Sequence, residues 1–129
     1  MEAKMTNEKY DIADFKLLFG LKKVIVENKE GFTVGLNLEK PKHKKGFYVS
    51  ITNNKGKNPD VLIQNLLDLK GSVIANQNLF IGGWIDGEDF YLDFSKHTNE
   101  LNEALKIGRL FNQLAVWDIA NNQSIAVLA

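Results

Sequence analysis

The sequence predicts one α+β domain, built on a mainly antiparallel sheet of about six or seven strands with two or three helices. Three observations carry this reading. Short β-type runs come in groups, and each group is separated from the next by a single stretch with helical spacing. Asp86-Gly87 stands between Leu79–Ile85 and Phe90–Phe94, and Asp-Gly between two apolar runs is a strong hairpin signal. The 129 residues contain no cysteine, so the core has to come from burial alone, and a 44% hydrophobic share is enough to build one.

Taken in order, Met1 to Glu8 reads as a flexible tail and residues 9–129 as the domain. Asp11–Gly20 carries Ile12, Phe15, Leu18 and Phe19 at helical spacing, with Gly20 as a stop. Lys22–Glu27 is β-branched and reads as a strand. After the Asn28–Gly31 turn signal, Phe32, Val34, Leu36 and Leu38 alternate with smaller or polar residues, as in a half-buried strand. Phe47–Thr52 is a third strand, and Asn53–Asn58 is a loop. Asn58 suits an N-cap and Pro59 the first helical position. Val61, Leu62, Leu66, Leu67 and Leu69 give that helix an apolar face, and Gly71 is expected to stop it. Ser72–Asn78 matches neither period. A further helix, capped by Thr98 or Asn99, turns Leu101, Ala104, Leu105, Gly108 and Phe111 inward, with Gly108 allowing close backbone approach. Leu114–Ile119 reads as a buried strand with Trp117 in the core, and Asn121-Asn122 turns into a last strand, Ser124–Leu128.

Composition narrows the function classes. Without cysteine there are no disulfides, thiolate nucleophiles or cysteine-based metal centres. This suits a cytoplasmic protein, and the polar, mixed-charge start MEAKMTNEKYD does not read as a signal peptide. No apolar run approaches the roughly 20 residues of a membrane helix. Net charge is zero but unevenly spread. Residues 1–57 hold 12 lysines against 7 acids, and residues 58–129 hold 4 bases against 9 acids. That asymmetry could steer a partner or pair copies head to tail; equally, it could be a solvated surface.

The residues with most to offer chemically lie in the second half. Gly82 and Gly83 remove two side chains from a strand before Trp84, which marks either a bulge or a shelf where a ligand approaches closely. Tyr91, Asp93 and Ser95 share the strand face opposite Phe90, Leu92 and Phe94. Asp86, Glu88 and Asp89 cluster at the hairpin tip, but without the ligand spacing of a calcium loop. Arg109, Asn112 and Gln113 form a polar set at a helix end. Arg109 is the one arginine beside 15 lysines, suited either to bidentate anion binding or to a salt bridge with Asp93 or Asp118. Lys40, Lys42, His43, Lys44 and Lys45 form a basic loop, which Lys55 and Lys57 could join. This loop could meet phosphates, with Tyr48 and Tyr10 as stacking aromatics, or could merely solubilise a sheet edge. His43 and His97 make a poor metal pair. No nucleophilic triad, phosphate loop, dinucleotide fingerprint or zinc-protease motif is present. Neither a catalytic residue, a metal ligand nor a cofactor is therefore expected.

The run GGWIDGEDFYLDFS followed by EALKIGRLFNQLAVWDI resembles a pattern in small accessory proteins of bacterial phages and mobile elements. Gly82, Gly83, Trp84, Tyr91, Leu92, Asp93, Glu103, Ala104, Leu105, Gly108, Arg109, Asn112, Gln113, Ala115, Trp117 and Asp118 carry the likeness, between about Leu79 and Ile125. The resemblance supplies no catalytic residues. It implies an intracellular accessory protein that modulates a host or defence protein. The leading expectation is thus a non-catalytic protein with a protein partner, and homo-oligomers fit it too. The alternative is a small-ligand or nucleotide pocket built from Arg109, Trp84 and Tyr91. Nucleic-acid binding through Lys40–Lys45 ranks below both.

Overall fold

The computed structural model describes residues 12–73 and 78–128. The proposed tail at Met1–Glu8 and most of the ambiguous Ser72–Asn78 stretch lie outside them. Three helices and seven strands are described: α1 (Ile12–Glu27), β1 (Phe32–Gly35), β2 (Phe47–Ser50), β3 (Lys55–Gly56), α2 (Pro59–Val73), β4 (Phe80–Asp86), β5 (Asp89–Thr98), α3 (Leu101–Leu110), β6 (Ala115–Asp118) and β7 (Gln123–Ala126). The fold is a single α+β domain with one open antiparallel sheet in the order β1-β4-β5-β2-β6-β7. β3 pairs with the first part of β5, beyond the end of β2.

The strand count matches the expectation only because two differences cancel. Lys22–Glu27 is the last third of α1, and Gly20 does not stop that helix. Leu17 and Leu21 are buried, and Leu18, Val24 and Ile25 pack beside them, so helical spacing continues past the glycine. Gly20 serves packing, because a Cβ there would meet the Leu38 side chain. The strand gained is β3, in the segment expected to be a loop.

Other boundaries shift for local reasons. β1 stops at Gly35, and Leu38 sits in a turn at φ 68° with its amide and that of Gly35 bonded inside the turn. α2 begins as expected, with the Asp60 amide donating to Asn58 Oδ1 at 2.9 Å, but runs past Gly71 to Val73. Its buried face is Leu62, Ile63, Leu66 and Leu67, while Val61 and Leu69 are exposed. Glu100, not Thr98 or Asn99, occupies the cap of α3 and makes no side-chain cap bond. The hairpin turn is Gly87-Glu88, since Asp86 pairs with Asp89, and Gly87 takes the positive φ of 63° that such a turn needs.

The register places all three helices on one side of the sheet. Val34, Ile81, Phe90, Leu92 and Phe94 share a face and pack with Leu17, Leu21 and the buried leucines of α2. Val49 and Val116 lie on the same face further along and pack with Ala104 of α3. Gly108 brings α3 close to the chain after β7, where an added Cβ would lie 2.8 Å from a Val127 methyl. The alternate residues of every strand face the side on which none of the described helices lies.

Candidate functional site

The helix-free face is read most simply as rows across the strands. Paired residues of an antiparallel ladder project on the same side. One row is Trp84, Tyr91 and Lys55, from β4, β5 and β3. The next is Thr33, Gly82 and Asp93. Then come Phe80, Ser95 and Ser50, and finally His97, Tyr48, Trp117 and Ser124. Apart from Phe80 at the edge and the buried Asp93, small residues thus lie between two aromatic rows. The result is a trough of about 700 Å³, floored by Gly82, Ser50 and Ser95 and walled by Trp84–Tyr91 on one side and Tyr48–Trp117 on the other.

The walls are built differently. Trp84 and Tyr91 stack with ring centroids 4.6 Å apart and planes 13° from parallel, and Lys55 Nζ lies 5.9 Å from the Tyr91 centroid. The stack holds both rings in place while Trp84 stays 43% exposed. On the far wall Tyr48 is nearly buried, because the loop before β2 folds onto it. His43 Nδ1 lies 2.9 Å from the Tyr48 hydroxyl, and the His43 ring stacks on His97 at 3.6 Å and meets Phe80 edge-on at 5.3 Å. His97 Nε2 donates to the Lys45 carbonyl at 3.0 Å. Burial, and then the neighbouring His97, hold the His43 pKa below its ordinary value. Burial raises that of Tyr48. Tyr48 is accordingly no exposed stacking platform, and Tyr10 lies outside the described residues. Trp117, expected in the core, faces the trough and is 38% exposed.

The expected site residues divide. Gly82, Trp84 and Tyr91 come together as floor and wall. Gly83 sits on the helix-covered face, where a Cβ would strike the Phe32 ring, so it serves packing and lends the trough only backbone. Asp93 is buried at 3% exposure. Its Oδ1 accepts the Thr52 hydroxyl at 2.7 Å and the Asn54 amide at 2.8 Å. This fixes the break where the chain leaves β2 and rejoins β5 as β3. Burial pushes the Asp93 pKa up to about 6, although both bonds pull it down. Gln113 donates its carboxamide to the Thr52 carbonyl at 2.9 Å and to Asn53 Oδ1 at 3.1 Å, tying the loop after α3 to the same break. Asn112, at φ 55°, turns that loop, and both residues line the rim.

Arg109 does not join them. It lies exposed in the last turn of α3, on the helix side, and the trough is lined without it. Neither carboxylate proposed for it is used that way, since Asp118 binds the Asn121 carboxamide at 2.7 Å. The lysines of the basic loop are exposed around His43 at the Tyr48 end. At the opposite end Lys57 pairs with Glu88 at 3.5 Å. Among the described residues no three of His, Cys, Asp and Glu converge as a metal group would require.

The sequence places Ser95 on one face with Tyr91 and Asp93 but does not point to Ser50, Thr33 or Ser124. Alternation in Tyr48-Val49-Ser50 and in Asp93-Phe94-Ser95 was the available signal, but it shows only that two faces exist. The floor depends on which strands are neighbours.

Fold and trough together define an open-faced α+β domain whose uncovered sheet face is grooved. Compared with protein-family models, with curated proteins and with solved structures, the chain matches none. No helix among the described residues is long and apolar enough to cross a membrane.

Proposed function

We propose that this is a non-catalytic binding protein that holds a segment of a partner protein in the trough of its open sheet face. The observation that carries this reading is the row pattern: small residues flanked by aromatic walls, on the sheet face that none of the described helices covers. Such a channel suits an extended chain, whose backbone can reach the rim groups Asn53, Gln113 and Ser124 while its side chains meet the aromatic walls. The accessory role implied by the resemblance supplies the cellular setting and rests on the motif alone.

Site-directed photo-crosslinking in cells tests this. A crosslinking residue at Thr33, in the trough, should capture a discrete protein partner, and one at Lys106, exposed on α3, should not. Equal capture from both positions overturns the reading.

A volume of about 700 Å³ also falls in the range of small-molecule sites, which favours a compact ligand as second reading. Its pocket is Trp84, Tyr91 and Lys55, without Arg109. Native mass spectrometry should then show an added small mass that disappears in Trp84→Ala. A clean mass in both proteins discards it. Nucleic-acid binding by the lysine loop stays below both.

A further inference from the structure

A column of side chains crosses the strands at the Trp84–Tyr91 wall. Lys55 Nζ lies 5.9 Å from the Tyr91 ring centroid, and Trp84 stacks on Tyr91 from the next strand. β3, β5 and β4 hold the three in that order, so the face of Trp84 that Tyr91 leaves uncovered is turned toward β1. There the chain brings no side chain. Phe32 pairs with Gly83 and Thr33 with Gly82, which carries Gly31 alongside Trp84, and a Cβ built on Gly31 would lie 3.7 Å from the Trp84 Cβ. Gly31 has φ 137°, a conformation that strains any residue with a side chain. The column thus ends in an open slot over Gly31, at the spacing of about 4.8 Å between neighbouring strands, room for one more flat group. Charge decides what fits it. Of the side chains lining the trough only Lys55 and Glu30 are charged, and they stand at opposite ends of this column. Glu30 immediately precedes Gly31, is exposed, and pairs with no base among the described residues. Lys29 beside it does not line the trough. An indole face attracts cations and a carboxylate at its edge adds to that attraction, whereas a phosphate would be repelled by Glu30.

We propose that the slot over Gly31 takes the guanidinium of an arginine in the partner segment, flat on the free face of Trp84 and donating to the Glu30 carboxylate. A guanidinium is planar, so it stacks on the ring and bonds at its edge in one pose, which an ammonium group does not do. From this anchor the segment continues across the strands, between the two walls, toward Asn122 and Ser124. The proposal rests on the protein-partner reading and adds to it the anchoring residue of the segment and the end of the trough that holds it.

A library of random ten-residue peptides, selected on the wild-type protein and depleted on Gly82→Leu, tests both levels. Peptides that need the trough should share an arginine at one position. Calorimetric titration of their synthetic forms should show affinity falling by roughly tenfold or more when that arginine is replaced by alanine, and again when the intact peptide meets Glu30→Gln or Trp84→Ala. Both protein positions are exposed, and thermal melts confirm that the variants fold. Selected peptides without a shared arginine, or with affinity unchanged in either variant, overturn the arginine slot and leave the trough as a peptide site. No enrichment over Gly82→Leu overturns both. N-acetylarginine amide binding as tightly as the peptides assigns the slot to a free small cation and overturns the segment. Binding of the oligonucleotide dT10 in place of any peptide assigns the trough to single-stranded nucleic acid and overturns both as well.

Discussion

A Cβ added at Gly82 would lie 3.4 Å from Ser95 Oγ and 3.8 Å from the Phe32 carbonyl, ordinary contact distances on an open face. One residue on, the same atom would strike the Phe32 ring. Gly82→Leu should therefore change stability by no more than about 0.5 kcal/mol while filling the trough. Gly83→Ala should cost about 1–3 kcal/mol by overpacking. Urea titrations check both, and equal losses would show that the two glycines share one role. Asp93 gives a second prediction at this scale. A carboxyl whose pKa rises to about 6 on folding stabilises the protein below its ordinary range near pH 4, and that contribution is lost as pH rises through 6. At 1.36 kcal/mol per unit the loss is on the order of 2–3 kcal/mol. Asp93→Asn keeps an acceptor for Thr52 and Asn54 and should remove this slope between pH 4 and 6, measured by urea unfolding across that range. An unchanged slope would mean that another group titrates there. His43 acts with the opposite sign, since its lowered pKa removes stability as pH falls through its ordinary value near 6.5, so the comparison is made between the variant and the parent protein.

At the scale of elements, α2 shows how far local signals reach. Asn58 and Pro59 mark its start because capping is a matter of adjacent atoms, and Asn58→Ala should cost about 1 kcal/mol by thermal melts while Asn58→Asp should not. A smaller loss than about 0.3 kcal/mol would show the cap to be spare. Its end lies at Val73, two residues past the stop expected at Gly71. The same error turned Lys22–Glu27 into a strand: Val24, Ile25 and Val26 favour β structure by themselves, but Leu21, Val24 and Ile25 complete a helical face that lies in the core. Trp117 failed in the other direction. An apolar strand looks buried on both sides, yet β6 has a helix on one side only.

At the scale of the whole molecule, the trough exists because the three described helices all cover one face of the sheet and none of them covers the other. Helix-side substitutions should thus act on stability and not on the trough. Leu66→Ala should cost about 2–5 kcal/mol, while native protein at low temperature keeps the partner capture from a crosslinker at Thr33. A parallel loss of capture would show that the helix layer shapes the trough. The charge asymmetry of the chain acquires a location at this scale as well. Lys42, Lys44 and Lys45 lie exposed around His43, past the Tyr48–Trp117 wall, and Asp86 and Asp89 face each other past the Trp84–Tyr91 wall, because the loop carrying His43 folds back over the start of β4.

The α+β class, the Asp86-Gly87 hairpin and the start of α2 could be determined from the sequence alone, because the signals for each lie a few positions apart; that Gly108 allows close approach was also legible, though its partner Val127 was not. So could Gly82, Trp84 and Tyr91 as a group, since a single hairpin register joins them. Tertiary structure decided that Gly82 faces the groove and Gly83 the core, that Asp93 is a buried pin, that Trp117 is a wall and that Arg109 stands apart. Those outcomes depend on which side of the sheet the helices choose, and that side is set by the summed burial of leucines from both halves of the chain, a quantity no local window contains.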